Sequence, residues 1–386
     1  MPFRHERMIL FNVFRTAFPR RYRWPLAAAL LAFVVAGART VPAAQQPNTW
    51  PACDLRTTER IVAIGDVHGA YDRFVETLRA AGVVDARARW SGGRAILVQT
   101  GDVVDRGPDS RKALDLLRRL EGEAERARGR VYSLLGNHEV MRMIWDWRYV
   151  SAEEIAAFRT ADSADVRERA YALIVADVAR RAKEAQQPLD EAAFREQFMK
   201  EIPLGYVETR QAFGPAGTYG KWLRERHAVI KINGIVFVHG GITAATAALG
   251  CAGINEAVRR DLMVPNPTPE QALTMLSSSE TGPLWYRGLA EEPDPAFAPE
   301  VTNILGVLGA RAIVIGHTFP ADFRITPRFQ GRVIQIDTGM LGGTFYPGGV
   351  GSALEIRGDA MTAVYQKGRE RLSAPAPAPA PVPASR

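Results

Sequence analysis

Six side chains of the kinds that bind divalent metals each follow closely on a short apolar run. Asp66 and His68 come after VAIG, Asp102 after ILVQTG, Asn137 after LLG, His239 after VFV and His317 after IVIG. Mixed oxygen and nitrogen donors of this sort suit two divalent ions that share one carboxylate and keep positions open for water and substrate. Such a pair, about 3.5–4 Å apart, lowers the pKa of a shared water to give bridging hydroxide near neutral pH and clamps phosphate oxygens during in-line displacement. Two doubly charged cations against the carboxylates of Asp66 and Asp102 leave a positive centre that favours an anionic phosphate ester. The chemistry predicted is hydrolysis without a covalent phospho-enzyme. One histidine after an apolar run is ordinarily a packing residue. Four of the chain's six histidines in such places, beside two Gly-Asp pairs, are not what core packing produces.

Bringing these groups together requires strands that end side by side. Apolar, β-rich runs at 61–64, 95–99, 131–135, 235–238, 312–315, 332–336, 353–356 and 362–365 read as buried strands. Helices are predicted over 71–81 and 110–126, the second beginning at a good N-cap after Pro108-Asp109. The alternation indicates an α/β fold, in which ligand groups gather beyond the carboxyl ends of the strands. Gly65, Gly101, Gly136 and Gly316 fit sharp turns where the backbone must approach a ligand. The closer spacing of the later strands predicts a second, more antiparallel sheet packed on the first, with helices outside. Helical patterns at 151–158, 165–183 and 190–200 mark residues 140–226 as a helical insertion. Trp145, Trp147 and Tyr149 read as packing aromatics, with the lining of a substrate cleft as the alternative, and His227 as structural or exposed.

The motifs Asp66-Val67-His68-Gly69, Gly101-Asp102-Val103-Val104-Asp105-Arg106-Gly107 and Gly136-Asn137-His138-Glu139 closely resemble those of calcineurin-like metallophosphoesterases of the phosphoprotein phosphatase superfamily. The stretch from GNHEVM to RYVS, with Gly282-Pro283-Leu284-Trp285-Tyr286-Arg287 and Asp337-Thr338-Gly339-Met340, is similar to the Shewanella-like phosphatase branch. The resemblance runs over roughly residues 60–366. It implies an α/β four-layer sandwich, two mixed β-sheets flanked by helices. It implies that Asp66 and His68 bind the first metal, that Asp102 bridges, and that Asn137, His239 and His317 bind the second, with manganese, iron or zinc all suitable. His138 becomes the general acid, held by Asp105. Arg106 and Arg287 become the guanidinium forks that grip phosphate oxygens. Glu139 reads as a supporting carboxylate.

The activity implied is phosphomonoester hydrolysis, on a phosphoprotein, a phosphopeptide or a small phosphate ester. Dinucleoside-polyphosphate hydrolases and nucleotidases share the fold and are the alternative. The symmetrical dinucleotide hydrolases tend to carry Ala and Asp where this chain has Asp105 and Glu139. Val103 stands where eukaryotic protein phosphatases commonly have Tyr, and the loop DTGMLGGTFYPGG departs from theirs, which leaves serine/threonine and tyrosine both open. A non-catalytic exported binding module predicts a missing ligand, and none is missing.

The formal net charge of +7 over 386 residues is confined to one end. Residues 1–43 hold seven Arg and one acid, and the remainder carries 42 basic against 41 acidic residues, so composition gives no case for nucleic-acid binding. Six of those arginines, the last at Arg23, precede a 13-residue apolar run, 25–37, which is followed by small residues near Ala43, the pattern of an export leader. A bilayer span needs about 20 apolar residues, so cleavage is favoured; uncleaved, the segment is the chain's one membrane contact. Either way the domain, residues 54–370, is expected outside the cytoplasm, periplasmic or secreted. Cys53 and Cys251 are then free to form one disulfide. Residues 371–386 are an Ala/Pro-rich tail without core-forming residues.

Overall fold

The computed structural model describes residues 52–264 and 266–372. The leader predicted over 1–43, and all of the Ala/Pro-rich tail but its first two residues, lie outside them. Within the described residues no helix is long and apolar enough to cross a membrane.

The strands, in chain order, are β1 (Asp54–Leu55), β2 (Ile61–Ile64), β3 (Ile96–Gln99), β4 (Arg130–Ser133), β5 (Val229–Ile232), β6 (Ile235–Val238), β7 (Ala312–Ile315), β8 (Thr326–Arg328), β9 (Val333–Gln335), β10 (Ser352–Arg357), β11 (Ala360–Tyr365) and β12 (Gly368–Arg371). They form two six-stranded mixed sheets, ordered β12-β11-β10-β2-β3-β4 and β1-β5-β6-β7-β9-β8. The strands do not divide, as chain order predicts, into an earlier sheet and a later, more antiparallel one. β10, β11 and β12 extend the first sheet in antiparallel fashion, and the second sheet is built on the parallel set β6, β7 and β9. Chain order misled because the strand following β9 returns to pair with β2 instead of extending its own sheet.

Alternation along the strands explains the layering. Ile61 and Ala63 of β2, Ile96 and Val98 of β3, Ile235 and Phe237 of β6, and Ala312 and Val314 of β7 belong to one buried cluster between the sheets. Their neighbours Val62 and Ile64 face outward yet are also fully buried, as expected for strands covered by helices on the other face. The cover on the first sheet includes helices Tyr71–Ala80 and Ser110–Arg126, the latter burying Ala113, Leu114, Leu117, Leu120 and Ala124 at helical spacing. The N-cap of that second helix is Asp109, which makes no side-chain cap hydrogen bond. Its carboxylate instead pairs with Lys112 Nζ at 2.7 Å. The second sheet is flanked by helices Gly250–Leu262 and Asp294–Leu308, which completes four layers.

Cys53 and Cys251 form a disulfide with a Cα–Cα distance of 6.1 Å. It ties the chain ahead of β1, an edge strand, to the helix Gly250–Leu262.

Residues 146–221 form a compact unit of their own. It contains helices Ala152–Ala156, Ser163–Glu184, Glu191–Glu201 and Tyr206–Phe213 around a small core of Ala170, Ile174, Val178, Phe194, Phe198, Ile202 and Val207. Ser151 and Glu154 form a capping box at the first of these helices. Trp147 packs on Tyr206 with ring centroids 4.6 Å apart. The chain leaves this unit through the helix Thr218–Arg224.

Candidate metal centre

Parallel pairing brings the site's carriers level. Ile64 of β2 is in register with Gln99 of β3, and Gln99 with Ser133 of β4. In the other sheet Val238 of β6 is in register with Ile315 of β7. Asp66, Asp102, Asn137, His239 and His317 therefore emerge from the same ends of neighbouring strands. The turns leave little room: a Cβ on Gly65 would lie 2.7 Å from the Ile336 carbonyl oxygen, and one on Gly316 would lie 2.6 Å from Asp66 Oδ1.

Five of the polar residues at these turns adopt left-handed backbone: His68 (φ 47°), Asp102 (57°), Asp105 (72°), Arg106 (69°) and His317 (65°). Non-glycine residues take this conformation at a cost, and it concentrates where surrounding contacts over-determine the geometry. Glu139 is the main such contact. Its buried carboxylate accepts the backbone N–H groups of Asp102 (2.8 Å), Val103 (2.8 Å), Val104 (3.3 Å) and Gly136 (2.8 Å). The supporting role read from its position thus has a concrete form: one side chain pins two strand-end loops together.

Both metal-type aspartates divide their oxygens. Asp66 Oδ1 accepts the His317 N–H at 3.0 Å, and its Oδ2 lies 3.7 Å from His68 Nε2. Asp102 Oδ1 accepts the His138 N–H at 3.0 Å. Asp102 Oδ2 lies 3.2 Å from His239 Nε2, 3.7 Å from His68 Nε2 and 3.8 Å from His138 Nε2. It is the common point of the cluster. The carbonyls of Val104 and Thr100 accept the Nδ1–H groups of His68 and His239, each at 3.0 Å, which orients both rings with Nε2 turned inward. His239 Nε2 further lies 2.9 Å from Asn137 Oδ1 and 3.1 Å from His317 Nδ1.

This donor set fits divalent cations. Asp102 with His239 and His317, and Asp102 with His68 and His138, each gather ligand-type atoms within 4.8 Å, all of them buried. Lone pairs of two imidazoles, a carboxylate and an amide converge with no hydrogen bond among them unless a proton intervenes, the arrangement a cation would resolve. His317 Nε2 and Asp337 Oδ2 are buried without any hydrogen-bond partner. Electrostatics say the same. Burial and the Asp337 carboxylate hold Asp66 well above the ordinary carboxylate range. Burial opposes ionisation of Asp102 as well, but His239, His138 and His68 hold it well below that range. Burial and Arg106 hold His68 low, and burial and His239 hold His317 low. His239 goes the other way. Against the penalty of burial, Asp102 and Asp66 push it up to about 9.

At neutral pH the metal-free centre therefore carries a proton on His239, which a cation must displace. Metal uptake at pH 7.5 is expected to release about one proton from this group, and affinity to rise about tenfold per pH unit until about pH 9. Calorimetric titration in two buffers of different ionisation enthalpy measures the proton count, and buffer-independent heats would refute it.

The remaining candidates are also placed. His138 Nδ1 donates to Asp105 Oδ2 at 2.8 Å. Arg106 lies among the imidazoles, its Nη1 donating to His68 Nε2 at 2.9 Å, its Nη2 3.4 Å from His138 Nε2, and its guanidinium touching the Tyr346 hydroxyl. Arg287 donates Nη1 to the His317 carbonyl (3.1 Å) and the Thr318 hydroxyl (2.8 Å), so part of its fork braces the loop that carries His317. His227 is a buried structural histidine facing Arg259 at 2.8 Å. Sequence reasoning missed Tyr346, Arg142 and Asp337, whose Oδ1 accepts the Gly339 N–H while Oδ2 has no partner. Arg142 donates to Asp105 Oδ1 from Nε (3.1 Å) and from Nη2. Its position four residues after His138 on the helix Asn137–Met143 was the available signal.

Residues 59–320 match the family described as calcineurin-like phosphoesterase. The chain is 30% identical over 319 residues to Shewanella-like protein phosphatase 2 of Arabidopsis thaliana, covering 78% of this chain and 76% of that one. It is 25% identical over 292 residues to Shewanella-like protein phosphatase 1 of Plasmodium berghei, covering 74% and 68%. Among solved structures, the cold-active protein tyrosine phosphatase of a psychrophilic Shewanella species superposes with a TM-score of 0.62 at 24% identity, covering 83% of this chain and 82% of that one. At that identity the likeness establishes the fold.

Proposed function

The chain belongs to the calcineurin-like phosphoesterase family and is a metal-dependent phosphoester hydrolase, and we propose that its substrates are phosphomonoesters carried by proteins or peptides. The observation that carries the reading is the placement of Asp102 Oδ2 within 3.2–3.8 Å of three imidazole nitrogens, beside a His138–Asp105 pair poised for proton transfer. Asp66, His68 and the shared Asp102 would hold one ion and Asn137, His239 and His317 a second, of manganese, iron or zinc. When bound, the ions supply Lewis acidity, lowering the pKa of water and neutralising charge on phosphate oxygens.

The chain's own residues do the rest. Arg106, already beside His68 and His138, is placed to grip phosphate oxygens with a planar fork. Asp105 holds Nδ1–H of His138 and thereby directs Nε2, which carries the proton for the leaving oxygen, toward the centre. Asp105 stays ionised in that role. Burial opposes it, but Arg142 and His138 hold its carboxyl below the ordinary range.

An aromatic rim favours aryl phosphate among the phosphopeptides. Tyr346 stacks near His68 (centroids 6.2 Å apart), and Phe319, 42% exposed, meets Tyr346 edge-on at 5.2 Å and stacks on Phe323 at 5.2 Å. A phenyl ring carried on phosphate has apolar faces there to meet, and a serine side chain has none. The Shewanella neighbour is itself named a tyrosine phosphatase, which agrees. We also propose export to the periplasm or medium, a reading supported by the leader and by a disulfide, which persists in oxidising compartments.

The test is a panel of phosphotyrosine, phosphoserine and phosphothreonine peptides with a dinucleoside tetraphosphate, each with manganese, iron and zinc. Phosphotyrosine peptide is expected to give the highest kcat/KM. Dinucleotide turnover far above every phosphopeptide would overturn the proposal.

A further inference from the structure

We propose that Arg142 is a positioning residue for leaving-group protonation, acting through Asp105 on His138; the proposal rests on the reading of His138 as general acid. Three groups stand in line, all within the protein interior. Asp105 is wholly buried, Arg142 is 1% exposed and is the largest of the fully buried side chains, and His138 is 2% exposed. The Asp105 carboxylate splits its oxygens between the other two. Oδ2 takes Nδ1–H of His138 at 2.8 Å, and Oδ1 takes Nε–H of Arg142 at 3.1 Å together with a second donor, Nη2.

The helix makes this possible. His138 and Arg142 are four residues apart on Asn137–Met143, so both side chains leave the same face toward Asp105. Asp105 arrives from the other strand-end loop in a left-handed conformation, φ 72°, with its backbone N–H on Ser110 Oγ at 3.2 Å. A buried carboxylate on a strained turn has no solvent to orient it. A planar guanidinium giving two N–H groups to Oδ1 fixes the plane of the carboxylate, and hence the direction of Oδ2. A residue that served only to neutralise Asp105 would need no such two-point contact.

Water adds across the phosphorus–oxygen bond, and the alcohol departs with the proton from His138 Nε2. The water's oxygen stays on phosphate, and a proton from that water restores the imidazolium. Displacing Oδ2 tilts the imidazole and slows the protonation, which matters most when the leaving alkoxide is a strong base and least when it is stable without a proton.

The experiment measures kcat and KM of the metal-loaded wild type, Arg142→Met, Arg142→Lys and His138→Asn on a series running from 2,4-dinitrophenyl phosphate through phenyl phosphate to an alkyl phosphate. Arg142→Met is expected to lose roughly 10²-fold in kcat on the alkyl phosphate, far less on the dinitrophenyl ester, with KM little changed, because general acid catalysis contributes about 10²–10⁴-fold. Arg142→Lys keeps the charge without the fork and should fall between, with the same steepening. A loss by Arg142→Met equal along the series overturns the proposal. If Arg142→Met does not fold, Arg142→Lys carries the test, and wild-type leaving-group dependence in it overturns the proposal equally. His138→Asn separates the premise: if it shows no steepening, the assignment of His138 fails; if it does and the Arg142 variants do not, only the role of Arg142 fails.

Discussion

Asp102→Asn is expected to lower kcat on an aryl phosphate by at least about 10³-fold while leaving a folded protein. The magnitude comes from the several kcal/mol that metal-centred charge stabilisation contributes, at 1.36 kcal/mol for each tenfold in rate. The substitution is selective for geometric reasons. Asn keeps an oxygen for the His138 N–H that Asp102 Oδ1 now accepts at 3.0 Å. It also keeps the backbone N–H donated to Glu139, and Asn is among the few residues that tolerate φ near 57°. What it removes is the anionic Oδ2 shared among His68, His138 and His239. An amide nitrogen there has no lone pair for a cation. The metal-free variant should stay folded but melt below the metal-free wild type, since the buried His239 loses the anionic partner that helps it hold its proton. Hydrolysis that persists in Asp102→Asn with added manganese would refute the mechanism.

Glu139→Ala should act on stability. It would strip acceptors from four main-chain N–H groups, those of Asp102, Val103, Val104 and Gly136, in a place where Glu139 itself is 1% exposed. Each orphaned buried donor costs roughly 1–3 kcal/mol. Even with water re-entering, the loss should be on the order of 4 kcal/mol, a fall in Tm of about 10 °C for a domain of this size. The loops it releases carry Asp102, Asp105 and Asn137, so metal affinity should weaken alongside. Glu139→Gln keeps one acceptor but turns an NH2 toward N–H donors, and should lie between. Scanning calorimetry decides the matter, and a Glu139→Ala protein melting within about 2 °C of wild type would mean that the loops are held by something else.

The metal-type residues were legible because each follows a glycine-bounded strand end, a pattern that survives without tertiary information. Asp66, His68, Asp102, Asn137, His239 and His317 all meet where that pattern placed them. Sheet membership was not legible. β10 pairs with β2 across nearly three hundred residues, and no local periodicity records such a partner. β5 was overlooked although its turn into β6 is Asn233-Gly234, both with positive φ; the pair is a strong hairpin signal, but the charged residues before it masked the strand. Arg142 offered only its spacing from His138 as a signal. A buried Arg violates the usual burial pattern, and only the position of Asp105 makes it intelligible.

Asp66, His68, Asp102, Asn137, His239 and His317 are expected to work as one metal-dependent catalytic unit. The most direct test removes bound metal with a chelator, adds manganese back in steps, and reads metal per chain by plasma emission alongside turnover of an aryl phosphate. Turnover should be abolished in the stripped protein and should rise until about two ions are bound per chain. Full turnover by the stripped protein, or a plateau reached with a single ion per chain, would contradict the two-metal assignment.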